Sequence, residues 1–135
     1  MSLTLNERNP NIQSILIGSV ATTTTVVMPG CYFRKHCKIK NIWLVDQAGI
    51  SEDPTQHVQV TLQDTSGSPV SYGTVDTANG AALANKPLQV PLATPDDTDA
   101  DEEDIPAGTQ LNVKAQTFGT AVLTKAVLLV EYYPL

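Results

Sequence analysis

Residues 57 to 64 read HVQVTLQD. Val58, Val60 and Leu62 alternate with Gln59, Thr61 and Gln63. A strand turns successive side chains to opposite faces, so this period of two sends the apolar set to a buried face and the polar set to water. The tract closes on TSGS at 65–68, a turn composition. A half-buried strand cannot stand alone. It needs neighbours to pair with and a second layer to cover its apolar face. The fold is decided by whether the rest of the chain supplies both.

Upstream, QSILIGSVA (13–21) and TTTTVVMPG (22–30) read as strands, the second ending at the Pro29-Gly30 breaker. CKIKNIWLVDQAG (37–49) reads as a strand from Cys37 to Asp46 that closes at Gly49. Downstream, PVSYGTV (69–75) and PLQVPLA (87–93) are short and proline-bounded, which suits sheet edges and strand ends. TQLNVKAQ (109–116) repeats the alternation, with Leu111, Val113 and Ala115 on one face. After the turn TFGT comes AVLTKAVLLVEYY (121–133), and this last pair is expected to form a hairpin, as consecutive strands often do. The nearest approach to a helix is TANGAALANKP (77–87), which Gly80 and Pro87 limit to one turn at most. There is no internal repeat. About eight short strands with frequent Gly/Pro turns predict an all-β, two-sheet antiparallel sandwich, jelly-roll-like. The expected division is a polar N-terminal arm over 1–13 and a single β-sandwich domain over 14–135.

Composition agrees. The 135 residues suit one domain, and 41% hydrophobic with only 16% charged argues against disorder. Aromatics are 5%, so the core is expected to be aliphatic. The net charge of −6 opposes non-specific nucleic-acid binding. The opening MSLTLNERNPNIQ lacks the basic start and apolar run of a signal peptide. The longest apolar run, AVLTKAVLLV (121–130), is about half a membrane span and contains Lys125. The expectation is no nucleic acid, no membrane, and a protein made in a reducing cytoplasm and kept there or in a particle assembled there.

The stretch CYFRKHCKIK (31–40) concentrates both cysteines, His36 and four of the eight Lys and Arg residues. The six-residue cysteine spacing fits no common zinc pattern, and the other histidine, His57, lies beyond a loop. Were 31–37 extended, its ends would lie about 20 Å apart, too far for a disulfide. Buried free thiols are expected instead. Strand alternation then puts Cys37, Ile39 and Trp43 on one face with Val45 beyond, and His36, Lys38 and Lys40 on the other.

The acidic tract TPDDTDADEEDIPAG (94–108) reads as a loop and holds seven of the fourteen acids. Asp97, Asp99 and Asp101 have the D-x-D-x-D spacing of a calcium loop. An EF-hand needs glycine at its sixth position and glutamate at its twelfth, and Glu102 and Gly108 stand there instead. A calcium site of clustered carboxylates stays open beside a solvated, self-repelling loop. The basic strip (Arg34, Lys35, His36, Lys38, Lys40) and the acidic loop give the domain a charge polarity that would orient one copy on another or on a larger partner.

Catalytic parts are missing. There is no G-x-S-x-G elbow, no P-loop and no dinucleotide fingerprint, and the two histidines are too few for a cupin-like metal site. A carboxylate pair stays possible on composition alone, although most acids sit in one loop. The expectation is a protein that is not an enzyme and carries no cofactor and no metal.

The tract DIPAGTQLNVKAQTFGTAVLTKAVLLVEYYPL (104–135) contains I-x-A-G-T-x-L-x-V, a short turn and a long apolar strand ending in aromatics. With I-x-x-I-W-L-V at 39–45, it resembles the closing strands of capsid decoration, or cement, proteins of tailed bacteriophages. The resemblance implies a jelly-roll subunit on the outside of a virion, reinforcing the shell between capsomers, with the major capsid protein as partner and a homo-oligomeric (dimer or trimer) state. It fixes no functional residue. Tyr72, Tyr132 and Tyr133 join the charged residues as candidate contacts, because tyrosine is enriched at interface hot spots. The alternative is a carbohydrate-binding β-sandwich of a fibre or extracellular enzyme. That class presents exposed aromatics, whereas Trp43 reads as core.

Overall fold

The computed structural model describes residues 11–93 and 103–135. Its strands are β1 (Asn11–Val20), β2 (Thr25–Phe33), β3 (Cys37–Val45), β4 (Val58–Asp64), β5 (Ser71–Asp76), β6 (Leu88–Val90), β7 (Glu103–Ile105), β8 (Thr109–Thr117) and β9 (Leu123–Pro134). No helix occurs among the described residues. One sheet runs β1-β9-β3-β6, with β7 on the same flank of β3 as β6; the other runs β2-β8-β4-β5. Every pairing is antiparallel.

The order has a simple origin. β1 pairs with β9, β2 with β8, β3 with β6 and β4 with β5. The chain is thus one long two-stranded ribbon with the β4–β5 hairpin at its tip. Rolled up, the ribbon brings β3 against β9 and β4 against β8, which closes the two sheets. That is the jelly roll.

The expected alternation holds in β4 and β8. Val58, Val60 and Leu62 face Leu111, Val113 and Ala115 within the same inner layer, all at or near zero exposure. Ile15 and Ile17 of β1, Ile39, Ile42 and Leu44 of β3, and Leu128 and Val130 of β9 cover them from the opposite sheet. Each such aliphatic side chain contributes about 1.5–3 kcal/mol on leaving water.

Four expectations are corrected. β8 and β9 do not form a hairpin: the turn after Thr117 carries the chain across to the other sheet, where β9 lies between β1 and β3. β2 does not stop at Pro29-Gly30 but continues to Phe33 through a bulge between Pro29 and Tyr32. The proline is tolerated because β2 is an edge strand. Gly30 is required there, because a Cβ would sit 2.7 Å from the Leu111 carbonyl oxygen. Asn11 to Gln13, read as the end of an arm, pair with Tyr132, Glu131 and Val130. Glu103–Ile105, read as loop, forms β7 against Ile39, Lys38 and Cys37.

β3 holds the correction with most consequence. Its register on β9 slips between Ile39 and Asn41, so Lys40 is an extra residue. A bulge of one residue reverses the phase of everything after it. Cys37 and Ile39 face inward as expected, but beyond the bulge Ile42 and Leu44 take the core. Trp43 and Val45, expected inside, stand half-buried on the outer face of the sheet.

Candidate functional site

β2 and β3 are joined by the tight connection Arg34 to His36, so the basic stretch folds back on itself rather than running as one strip. The cysteines sit on either side of this turn and both are free and buried. Burial pushes the Cys31 thiol up to about 12. Burial also raises Cys37, against the opposing pull of the Lys35 ammonium, and its thiol donates to the Lys35 carbonyl at 3.2 Å.

The turn forms the rim of an end groove of about 340 Å³. β1 contributes Asn11 and Gln13, β2 contributes Tyr32 and Phe33, and β9 contributes Tyr132 and Pro134, with Arg34 and Lys35 at the mouth. Phe33 and Tyr132 meet edge to face, with centroids 5.0 Å apart and planes at 86°, which joins the two sheets at this end. Tyr32 points to solvent. Among the described residues neither Arg34 nor Lys35 has an ion-pair partner.

The remaining candidates are dispersed. His36 Nε2 donates to Asp104 Oδ1 at 2.6 Å and so ties the turn to β7. Lys38 lies between Asp104 and Tyr133 in register and is engaged rather than free. Lys40 projects from the bulge into solvent. Tyr133 is only 3% exposed and Tyr72 only 8%, so neither offers surface in this chain. Asp97, Asp99 and Asp101 lie outside the described residues. The groove therefore unites Arg34, Lys35 and Tyr132 with Tyr32, Phe33, Asn11, Gln13 and Pro134. The last five were not singled out from sequence. The apolar-cationic mixture YFRK at 32–35 was their one visible signal.

Two other concavities are open surface. One, about 390 Å³, lies beside the turn at Asp53 and Gln56. The Asp53 carboxylate is already spent on the Thr55 and Gln56 amides and the Thr55 hydroxyl, which hold it below its usual range. The other, about 430 Å³, opens at the edge between β5 and β6. Near it His57 Nδ1 donates to Asp76 Oδ1 at 2.7 Å, and the imidazole stacks on Phe118 at 4.4 Å. Among the described residues no hydroxyl or thiol bonds the other ring nitrogen of His57. Nor does any group of three or more His, Cys, Asp or Glu stand close enough there to hold a metal ion.

No family model and no curated protein matches the chain. Several solved structures are similar to it. One is described as the acidic stable capsid structure of Helicobacter pylori bacteriophage KHP30: 14% identity, TM-score 0.44, covering 91% of this chain and 93% of that one. Another is the infectious bursal disease virus VP2 subviral particle, at 12% identity and TM-score 0.40 over 93% of this chain and 37% of that one. A third is the Clostridium thermocellum xylanase 10B CBM22-1–GH10 structure with xylohexaose, at 7% identity and TM-score 0.36 over 92% of this chain. This chain spans only 25% of that xylanase chain.

Proposed function

We propose that this chain is a non-catalytic structural protein of a virus particle, seated on the outer capsid surface, where it bridges capsomers of the major capsid protein and stabilises the shell. The observation that carries the reading is the end groove. Tyrosine and arginine are enriched where proteins dock, and here Tyr32 and Arg34 stand exposed beside the half-buried Tyr132, with Arg34 lacking an ion-pair partner among the described residues. On a chain of net charge −6, Arg34 and Lys35 make a local cationic spot that orients it on an acidic capsid patch. The histidines, by contrast, are committed to holding turns: His36 to Asp104 and His57 to Asp76.

The test is to purify particles from the source that encodes this chain, quantify it by mass spectrometry and label the intact particles with a membrane-impermeant amine reagent. The expected result is a fixed ratio to the major capsid protein and labelling from outside. Absence from purified particles, or complete protection from the reagent, overturns the proposal.

One observation favours the alternative, a carbohydrate-binding module. Trp43 is on the outer face of its sheet, in a row with Gln89. Titration with cello- and xylo-oligosaccharides separates the two readings, because a sugar stacked on Trp43 shifts its emission.

A further inference from the structure

The two sheets differ on their outer faces. On the β2-β8-β4-β5 sheet the cross-strand rows read Thr25–Gln116–Gln59–Asp76, Val27–Lys114–Thr61–Thr74 and Pro29–Asn112–Gln63–Ser71. This is the polar exterior that an antiparallel sheet presents to water. On the other sheet the rows read Leu16–Val127–Val45, Ser14–Leu129–Trp43–Gln89 and Ile12–Glu131–Asn41. Six apolar side chains stand on this outside. Leu16 is 73% exposed and Ile12 58%. The bulge at Lys40 is what adds Trp43 and Val45 to them.

We infer that this outer face packs against the same face of a second copy of the chain, two sheets meeting across a twofold axis. The charge on the face selects this occupant. Its three rows carry one charged group, Glu131, whose Oε1 accepts from Asn41 Nδ2 at 2.7 Å. Two chains of net charge −6 repel, and the three rows of this face add only one carboxylate to that repulsion. A strongly acidic or basic partner finds no complement here. A glycan finds a single aromatic ring, with polar side chains only at the border in Ser14, Gln89, Asn41 and Glu131 and aliphatic ones between. An identical flat, aliphatic, nearly uncharged face matches throughout.

From strand spacing and rise, the apolar patch covers roughly 350 Å², under half of the ~800 Å² each partner contributes to a standard interface, so the polar residues around it must supply the rest. Asn41, Gln89 and Ser14 border it, which gives the apolar centre and polar rim of a protein interface. The inference deepens the structural reading above by supplying the surface for its homo-oligomeric state. It is measured on the isolated chain, so its failure leaves the particle experiment untouched, and the reverse also holds.

The test is sedimentation equilibrium of the purified chain and three variants, with the emission of the sole tryptophan followed on dilution. The wild type is expected to be a dimer whose emission shifts red as it dissociates. Leu16→Glu and Val127→Thr should each weaken the dimer at least roughly tenfold, because every change occurs twice across a twofold interface. Val27→Glu, at a site 54% exposed on the other sheet, should leave it intact. At a dilution where all four proteins are monomeric, Val27→Glu and Val127→Thr should melt with the wild type. A monomer at all concentrations overturns the inference. So does a dimer indifferent to both Leu16→Glu and Val127→Thr, one equally weakened by Val27→Glu, or a Trp43 shift caused by xylo-oligosaccharide in a chain that stays monomeric.

Discussion

Asp46 is fully buried at the end of β3, and its carboxylate is satisfied entirely by backbone. Oδ2 accepts from the Ala48 and Gly49 amides at 3.2 and 2.9 Å, and Oδ1 from the Thr124 amide at 2.7 Å. One side chain thereby shapes the turn that leaves β3 and anchors the start of β9. Asp46→Ala strands three amide groups and is expected to cost about 2–4 kcal/mol in urea denaturation, with Asp46→Asn recovering part of it. A second residue-scale effect concerns pH. Burial lifts the folded Cys31 thiol from 9.0 to about 12, so the unfolded chain loses that proton first as pH rises. The folded state therefore keeps its full stability below pH 9 and loses it progressively between 9 and about 12. Thermal melts across that window should show the decline in the wild type and a shallower one in Cys31→Ala. The Asp46 role was not legible from sequence, where it looked like the last residue of a strand. The burial of Cys31 as a free thiol was expected and is borne out, while the partners that shield it lie far along the chain.

At the scale of the element, alternation was legible wherever a strand pairs without interruption. β4 and β8 orient their side chains as the sequence pattern says, because the ladder between them is unbroken and the extra residues on their other flanks fall in β2 and β5. β3 does not, since Lys40 is an unpaired insertion and nothing in KIKNIWLV marks it. Both phases of that run are apolar enough to bury, so sequence alone cannot choose between Ile42 with Leu44 and Trp43 with Val45. The structure chooses the former, and mutation checks it. Leu44→Ala should cost about 2–5 kcal/mol, the range for a deleted core aliphatic, measured by denaturant unfolding of dilute protein. Val45→Thr should cost about 0.5 kcal/mol or less, as expected of a position facing outward. The reverse order would restore the unbulged strand and move Trp43 back into the core. The crossing after β8 was hidden for a similar reason: TFGT serves a hairpin and a change of sheet equally well, and only the ribbon pairing of β9 with β1 decides.

At the scale of the whole molecule, a rolled ribbon puts its two ends together. β1 and β9 lie side by side, so the first described residues, the last strand and the Arg34–His36 turn meet at one end of the sandwich and build the groove. This gathering explains why the site was only partly readable. Arg34, Lys35 and Tyr132 were visible as residue types, while Asn11, Gln13 and Pro134 matter only because the roll brings them there. It also separates the two proposed contact surfaces: the groove at the end, proposed for the shell, and the apolar outer face of the β1-β9-β3-β6 sheet, proposed for a second copy. The central claim is that the groove holds this chain on a capsid. The most direct measurement is occupancy on particles stripped of the chain and then mixed with wild type or with Tyr32→Ala/Arg34→Ala. Both positions are exposed and leave the core untouched. Wild type should rebind to saturation, and the double variant should fail to bind while keeping its fold and melting temperature. Equal occupancy by the two proteins would contradict the claim.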